Sequence, residues 1–250
     1  MARPWIIGHR GASGHAPENT LAAFRRAAEM GAGFIETDLR ITADGQFVLL
    51  HDARVDRTTN GRGRVDWLEL DALGRLDAGS WFGKEYSGER VPTLDEALAL
   101  ARECKLGLYL ELKTRLAGSL PSLLAETLRR AGWVERTILL SFRPATLKAA
   151  GAAAPGARTA LLVERRLRAV WRAKQAGAAQ LAPRHTLATP RLVRAAHRAG
   201  LLVVVWTVNR RGEIERMLRM GVDGIMTDHP ARVGEAEERR GWWRKRKRRT

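Results

Sequence analysis

The chain has 250 residues, 45% of them hydrophobic, with one cysteine and a formal net charge of +17. That length and apolar content support one large domain with a substantial core and exclude wholesale disorder. The lone Cys104 excludes a disulfide framework and a cysteine-based zinc site, and the longest apolar run, 201–206, falls far short of the ~20 residues of a membrane span.

From the N-terminus, Met1 leads through a single arginine into a short apolar strand, 5–9, with no signal-peptide core, which predicts cytoplasmic placement. A helical segment over 19–30 follows, then a strand at 34–39. The turn signal Ala43-Asp44-Gly45-Gln46 and the apolar run 47–51 predict a hairpin partner, antiparallel because no helix fits in the gap. A turn centred near Asp44-Gly45 sets His51 about opposite Asp38. Residues 41–92 are longer than an ordinary strand-to-helix loop and read as a small insertion over one mouth of the fold, with a short helical piece near 68–76. The next helix, 94–104, has apolar residues at Leu94, Ala97, Leu98 and Ala101 and a capping box in Thr93 and Glu96. Strands then recur at 107–112, 137–141, 158–163, 179–182, 201–207 and 223–227. Between them lie helical segments at 119–131, 144–153, 165–176, 190–199 and 210–219, with Pro144 and Pro190 at first-turn positions. Eight strands alternating with helices at this length predict an α/β fold, a (β/α)8 TIM barrel over 1–240 with the insertion after the second strand.

The last stretch differs. Residues 231–250 hold nine basic and three acidic residues, ending in Trp242-Trp243 and a basic run. Segment 241–250 is therefore set apart as an expected disordered tail. Its readings are a solvated end or a weak contact with an anionic membrane, which would place the protein at the inner membrane surface. Over the whole chain lysine supplies only seven of the 44 basic residues, and outside the tail the arginine, alanine and glycine excess reads as compositional drift. No specific nucleic-acid partner is predicted, and oligomeric state is left open.

In such barrels, chemistry sits at the C-terminal ends of the strands. The first strand ends in Gly8-His9-Arg10-Gly11. Glu36 and Asp38, two residues apart on the second strand, share a face, as do Glu111 and Lys113 on the strand after the insertion. The return strand delivers His51-Asp52. Three converging carboxylates without thiolates suit one hard divalent cation, Mg²⁺, Ca²⁺ or Mn²⁺. His9 and His51 are candidates for general acid and base, and Arg10 and Lys113 for an anionic oxygen. Together they suggest phosphate ester hydrolysis.

The run His9-Arg10-Gly11-Ala12-Ser13-Gly14-His15-Ala16-Pro17-Glu18-Asn19-Thr20 resembles the opening motif of the glycerophosphodiester phosphodiesterase family. The resemblance continues in order through Glu36-Thr37-Asp38, His51-Asp52, 56–61, 77–83, 92–94, Glu111-Leu112-Lys113, Ser141-Phe142, Trp206-Thr207-Val208-Asn209 and 221–228, covering about 5–232. It implies a barrel that hydrolyses glycerophosphodiester substrates to an alcohol and glycerol 3-phosphate. It also implies His9 and His51 as the acid/base pair, Glu36, Asp38 and Glu111 as metal ligands, Arg10 and Lys113 on the phosphate, and Trp206 as a wall against the glycerol. Two other readings stand beside it: a lysophospholipase D-type hydrolase of single-chain phospholipids, and a non-catalytic phosphate- or polyanion-binding barrel.

Among the neighbours, Asp52 reads as a further ligand, as the orienter of His51 or as a turn cap, and Glu18 either touches the metal region or opens, with Asn19 and Thr20, a helix capped by Asn19 or Thr20. Asn209 and Asp228 read as loop-fixing residues. His15, His185, His197 and His229 read as structural or solvent-exposed.

Overall fold

The computed structural model describes residues 3–114 and 118–247, with side chains up to 239. Strands β1 (Trp5–His9), β2 (Phe34–Ile41), β4 (Gly107–Leu112), β5 (Thr137–Ser141), β6 (Arg158–Val163), β7 (Gln180–Pro183), β8 (Leu202–Val205) and β9 (Gly224–Thr227) pair in parallel. β1 pairs with both β2 and β9, so the eight strands close on themselves. β3 (Phe47–Leu49) adds antiparallel to β2 as a ninth strand outside the closure. The predicted (β/α)8 barrel is the observed fold.

Strand alternation sorts the side chains into two layers. Ile7, Tyr109, Ile138, Leu140, Ala160, Leu162, Ala182, Val204 and Met226 fill the barrel interior. Their neighbours Ile35, Leu108, Leu110, Leu161, Leu181, Val203 and Ile225 point outward against the helices. These are α1 (Leu21–Glu29), α3 (Leu94–Glu103), α4 (Leu120–Arg130), α5 (Pro144–Ala153), α6 (Ala169–Gln175), α7 (Pro190–Arg198), α8 (Arg211–Met220) and α9 (Pro230–Lys247). The Thr93/Glu96 capping box is formed at α3, and Pro144 and Pro190 open α5 and α7. α9 reaches into the segment set apart as a tail; residues 248–250 and the side chains of 240–250 lie outside the described residues. Among the described residues, no helix is long and apolar enough to cross a membrane.

The insertion forms as a satellite with its own core of Val48, Leu50, Val55, Val65, Leu73, Ala78 and Val91, and its helix α2 is Leu70–Gly74. Asp77 organises it by accepting the backbone N–H groups of Gly79, Ser80 and Gly88. At Gly79 a Cβ would lie 1.8 Å from the Tyr86 carbonyl oxygen, so only glycine fits.

The hairpin register corrects one expectation. Leu39 pairs with Leu49 and Arg40 with Val48, and the Leu50 N–H donates to the Asp38 carbonyl at 2.9 Å. Asp38 therefore faces Leu50, not His51. The turn, closed by Thr42 and Gln46 with Gly45 at φ 81°, is centred on Asp44, and half a residue in the centre moves the pairing by one.

Candidate active site

The inner faces of three neighbouring strands end in the predicted residues. β1 reads Ile7, His9; β2 reads Phe34, Glu36, Asp38; β4 reads Tyr109, Glu111. Register aligns His9 with Glu36 and Asp38 with Glu111, so parallel pairing alone brings these four groups together. Glu36, Asp38 and Glu111 each place a carboxylate oxygen within 4.8 Å of the others.

The chain turns sharply after β1 to make room. Arg10 and Gly11 both take positive φ, 54° and 83°, and a Cβ on Gly11 would lie 2.6 Å from the backbone of Ala23. This turn aims the Arg10 N–H at Glu36 Oε2, 3.1 Å away, and sets its guanidinium Nε 3.3 Å from Asp38 Oδ2. Lys113 Nζ lies 3.2 Å from Asp38 Oδ1 and 2.9 Å from Glu111 Oε1. The two predicted phosphate-binding cations thus stand directly on the carboxylate cluster.

The electrostatics divide the cluster. Burial and the Asp38 charge push Glu36 up to about 7, and the same two causes raise Glu111. Burial also opposes the Asp38 charge, yet Lys113 and Arg10 hold that carboxyl well below the usual carboxylate range. Three buried carboxylates with two pushed toward protonation suit a group that supplies concentrated positive charge. Asp38 Oδ1 is buried and accepts no hydrogen bond; its neighbour is the Lys113 ammonium in ion-pair contact at 3.2 Å, so its lone pairs suit such a group. An all-oxygen donor set fits a hard divalent cation.

Each histidine has its own carboxylate. His9 Nδ1 lies 2.7 Å from Asp228 Oδ1, across the closure of the barrel. Burial lowers the His9 pKa, but the Asp228 hydrogen bond and the Glu36 charge outweigh it and leave it above the ordinary value. Asp228 is fixed by Asn209 Nδ2, which donates at 2.5 Å, and by Ser13 Oγ at 2.8 Å. His51 Nδ1 lies 2.7 Å from Asp52 Oδ1, so Asp52 orients His51. Burial, with Arg10 and Lys113 nearby, lowers the His51 pKa against the pull of Asp38. Beyond the hairpin, the Arg40 guanidinium binds the His51 carbonyl, with Nε at 3.1 Å, and fixes the backbone that carries the ring.

Several supporting residues were not assigned these roles from sequence. Asn19, at φ 58°, donates from Nδ2 to Asp38 Oδ2 at 2.8 Å and accepts from Thr37 Oγ1 at 2.7 Å. Thr20 is the helix cap, accepting the Ala23 N–H. Glu18 bridges Arg10 and Arg57, and Arg57 binds Asp52 at 2.6 Å. Ion pairs therefore run unbroken from Asp38 through Arg10, Glu18, Arg57 and Asp52 to His51, tying the insertion to the β1 end. Asp228 and Asn209 fix their loop as expected, and Asp228 also holds His9. The remaining histidines have partners: His15 meets His229 at 3.0 Å, His197 meets Asp223 at 2.7 Å, and His185 lies 3.4 Å from Glu213. Trp206 donates its indole N–H to the Ala182 carbonyl and packs edge-on against Phe142 with centroids 5.6 Å apart, above the interior layer.

Comparison with known proteins identifies the family and the fold. The chain is 39% identical over 228 residues to a glycerophosphodiester phosphodiesterase of Caldanaerobacter subterraneus subsp. tengcongensis, covering 90% of this chain and 94% of that protein. A second relative, a glycerophosphodiester phosphodiesterase of Bacillus subtilis, is 32% identical over 244 residues, covering 90% of this chain and 83% of its own length. The fold superposes on a phosphodiesterase of Oleispira antarctica, solved in complex with the product sn-glycerol-3-phosphate. That match has a TM-score of 0.87 and 32% identity, covering 94% of this chain and 97% of that one. Residues 9–232 match the sequence profile of one family over nearly the whole barrel, and the chain belongs to it: the glycerophosphoryl diester phosphodiesterase family.

Proposed function

We propose that this chain hydrolyses glycerophosphodiesters to an alcohol and sn-glycerol 3-phosphate in a reaction that depends on one divalent cation, Mg²⁺, Ca²⁺ or Mn²⁺. The observation that carries the reading is the pairing of two carboxylate-backed imidazoles, His9 and His51, with a buried cluster of three carboxylates at the same mouth. Glu36, Asp38 and Glu111 are the residues that would hold the cation. Such an ion supplies charge neutralisation and polarisation of a phosphoryl oxygen.

The rest is the work of side chains. Arg10 and Lys113 reach the cluster and would meet the non-bridging oxygens of the phosphate, the first as a fork and the second as a point charge. His51, whose pKa is lowered, is neutral at physiological pH and accepts a proton from the attacking hydroxyl. His9, whose pKa is raised, retains the proton that the leaving alkoxide takes. Trp206 and Phe142 form an apolar wall at the mouth and favour a carbon-rich group on one side of the phosphate.

The experiment is hydrolysis of glycerophosphocholine beside lysophosphatidylcholine, with and without EDTA, for the wild type, His9→Ala and Glu111→Ala. Loss of turnover in EDTA and a fall of about 10²-fold or more in His9→Ala are expected. Metal-independent turnover, or full activity in either variant, refutes the scheme. Preference for lysophosphatidylcholine would move the substrate to the lysophospholipase D class without changing the residues.

A further inference from the structure

Two large apolar side chains stand exposed on the loop after β6 and the helix it enters: Leu167 at 79% and Trp171 at 56%. Residues 164–168 are all exposed. The Ala169 N–H donates to the Arg166 carbonyl at 3.1 Å, closing a turn with Leu167 at its tip, and Arg168 follows in the left-handed region at φ 52°. An unburied leucine at a turn tip contributes nothing to the core and adds apolar surface in water.

The surroundings of that tip are basic. Residues 164–175 carry five basic side chains and one acidic one. Arg165, Arg166 and Arg168 form no ion pair among the described residues, in contrast to the paired arginines of the insertion. The neighbouring strand-end loops add exposed Arg143, Arg184 and Arg210. These loops follow β5, β6, β7 and β8, so they share the C-terminal face of the barrel with the carboxylate cluster and lie across the mouth from it. Phe142 and Trp206 stand at the ends of β5 and β8 on the same rim.

We propose that the β6–α6 loop docks the barrel mouth onto an anionic lipid surface, with Leu167 and Trp171 entering the headgroup region and Arg165, Arg166 and Arg168 pairing with lipid phosphates. Apolar tips ringed by unpaired arginines match a surface that is apolar below and anionic above. A nucleic acid would use the charges but offers no partner for the leucine tip. The position differs from that of the basic tail. α9 starts on the C-terminal side and packs Val233 and Ala236 against the barrel as it runs back along the strands, away from the mouth. Docking through the loop turns the mouth toward the lipid instead.

The test uses the full chain, tail included, in co-sedimentation with vesicles of phosphatidylcholine alone or mixed with phosphatidylglycerol. Wild type is compared with Leu167→Ser/Trp171→Ser and with Arg165→Gln/Arg166→Gln/Arg168→Asn, the asparagine chosen because it tolerates positive φ. Wild-type binding to the anionic vesicles that weakens about tenfold or more in both variants, and weakens with salt, is the expected result. Unchanged glycerophosphocholine turnover in the variants shows that they are folded. Equal vesicle binding by wild type and variants, or no preference for the anionic vesicles, overturns the proposal. So does a wild-type dimer that the variants lose while vesicle binding is absent, since the patch then covers a second copy of the chain.

Discussion

Glu36 gives the sharpest test of the carboxylate cluster, because its cost to the metal-free fold can be worked out. Burial and the Asp38 charge raise it from 4.5 to about 7. A folded-state pKa above the unfolded one means that the folded protein holds the proton more tightly. The associated stability is complete below pH 4.5, is lost as pH rises, and is gone above pH 7. The difference is worth about 3 kcal/mol. Glu36→Gln keeps an oxygen to accept the Arg10 N–H and removes the charge. At pH 8 in EDTA the variant should therefore melt above wild type, by about 6–12 °C for a chain of this size. At pH 4.5 the two should nearly coincide. Adding Mn²⁺ or Mg²⁺ closes the gap at about a hundredfold excess over Kd, where wild type gains about 3 kcal/mol, and reverses the order at about a thousandfold, where it gains about 4 kcal/mol and the variant gains little. Scanning calorimetry or thermal-shift melts across pH 4.5–8, with and without metal, read all three arms. A variant that melts at or below wild type at pH 8 in EDTA, or one that keeps the full metal response, refutes the account of the cluster. Glu36 would then be a paired structural charge.

Three further outcomes follow from single contacts. Asp228→Asn removes the charge behind His9; kcat should fall about 10–100-fold, and the alkaline limb of the pH–kcat/KM profile should move to lower pH while the acid limb, set by His51, stays in place. Asn19→Ala strips the donor from Asp38 Oδ2 and the acceptor from Thr37, so the metal concentration for half-maximal activity should rise about 10–100-fold, measured by titrating metal into the chelated enzyme. Gly79→Ala puts a methyl into the Tyr86 carbonyl; limited proteolysis should then cut within 79–89 at protease levels that leave wild type intact, with the barrel still folded by circular dichroism.

The barrel and the residues on its inner faces were legible because parallel strands buried on both sides write themselves as apolar runs, and i, i+2 spacing assigns a face without further information. Glu36, Asp38 and Glu111 could be placed together from that rule. Their supports could not. Asp228 reaches His9 across 219 residues, and Glu18 meets Arg57 only because the insertion folds back over the first loop. Asn19 looked like a cap because asparagine suits both a cap and a left-handed turn. The structure uses the second property and leaves capping to Thr20. The helix after β9 has few apolar residues among its charges, so its periodicity is faint, although Val233 and Ala236 bury fully. The hairpin slip has a different origin. Register is decided by the turn centre, and sequence locates a turn to within about a residue.

The two histidines look equivalent in sequence, each beside a carboxylate, and the structure separates them through what holds that carboxylate. Asp228 is fixed by neutral groups, the Asn209 amide and the Ser13 hydroxyl, so its full charge is available to His9. Burial works to raise Asp228, and the hydrogen bond and charge of His9, with the Ser13 and Asn209 hydrogen bonds, together more than offset it and hold the carboxyl at about 2. Asp52 is also held at about 2, but part of its charge is engaged by Arg57, itself anchored on Glu18. His51 faces Arg10 and Lys113 as well, and burial completes the shift downward. Asp228 and Glu36 thus favour the proton on His9, while burial, Arg10 and Lys113 disfavour it on His51. The Asp228 contribution to His9 bypasses the carboxylate cluster, so it persists when a cation compensates Glu36. The difference between the two imidazoles therefore rests on burial, Arg10 and Lys113 at His51 and on Asp228 at His9, and Ser13 and Asn209 contribute by holding Asp228 in place.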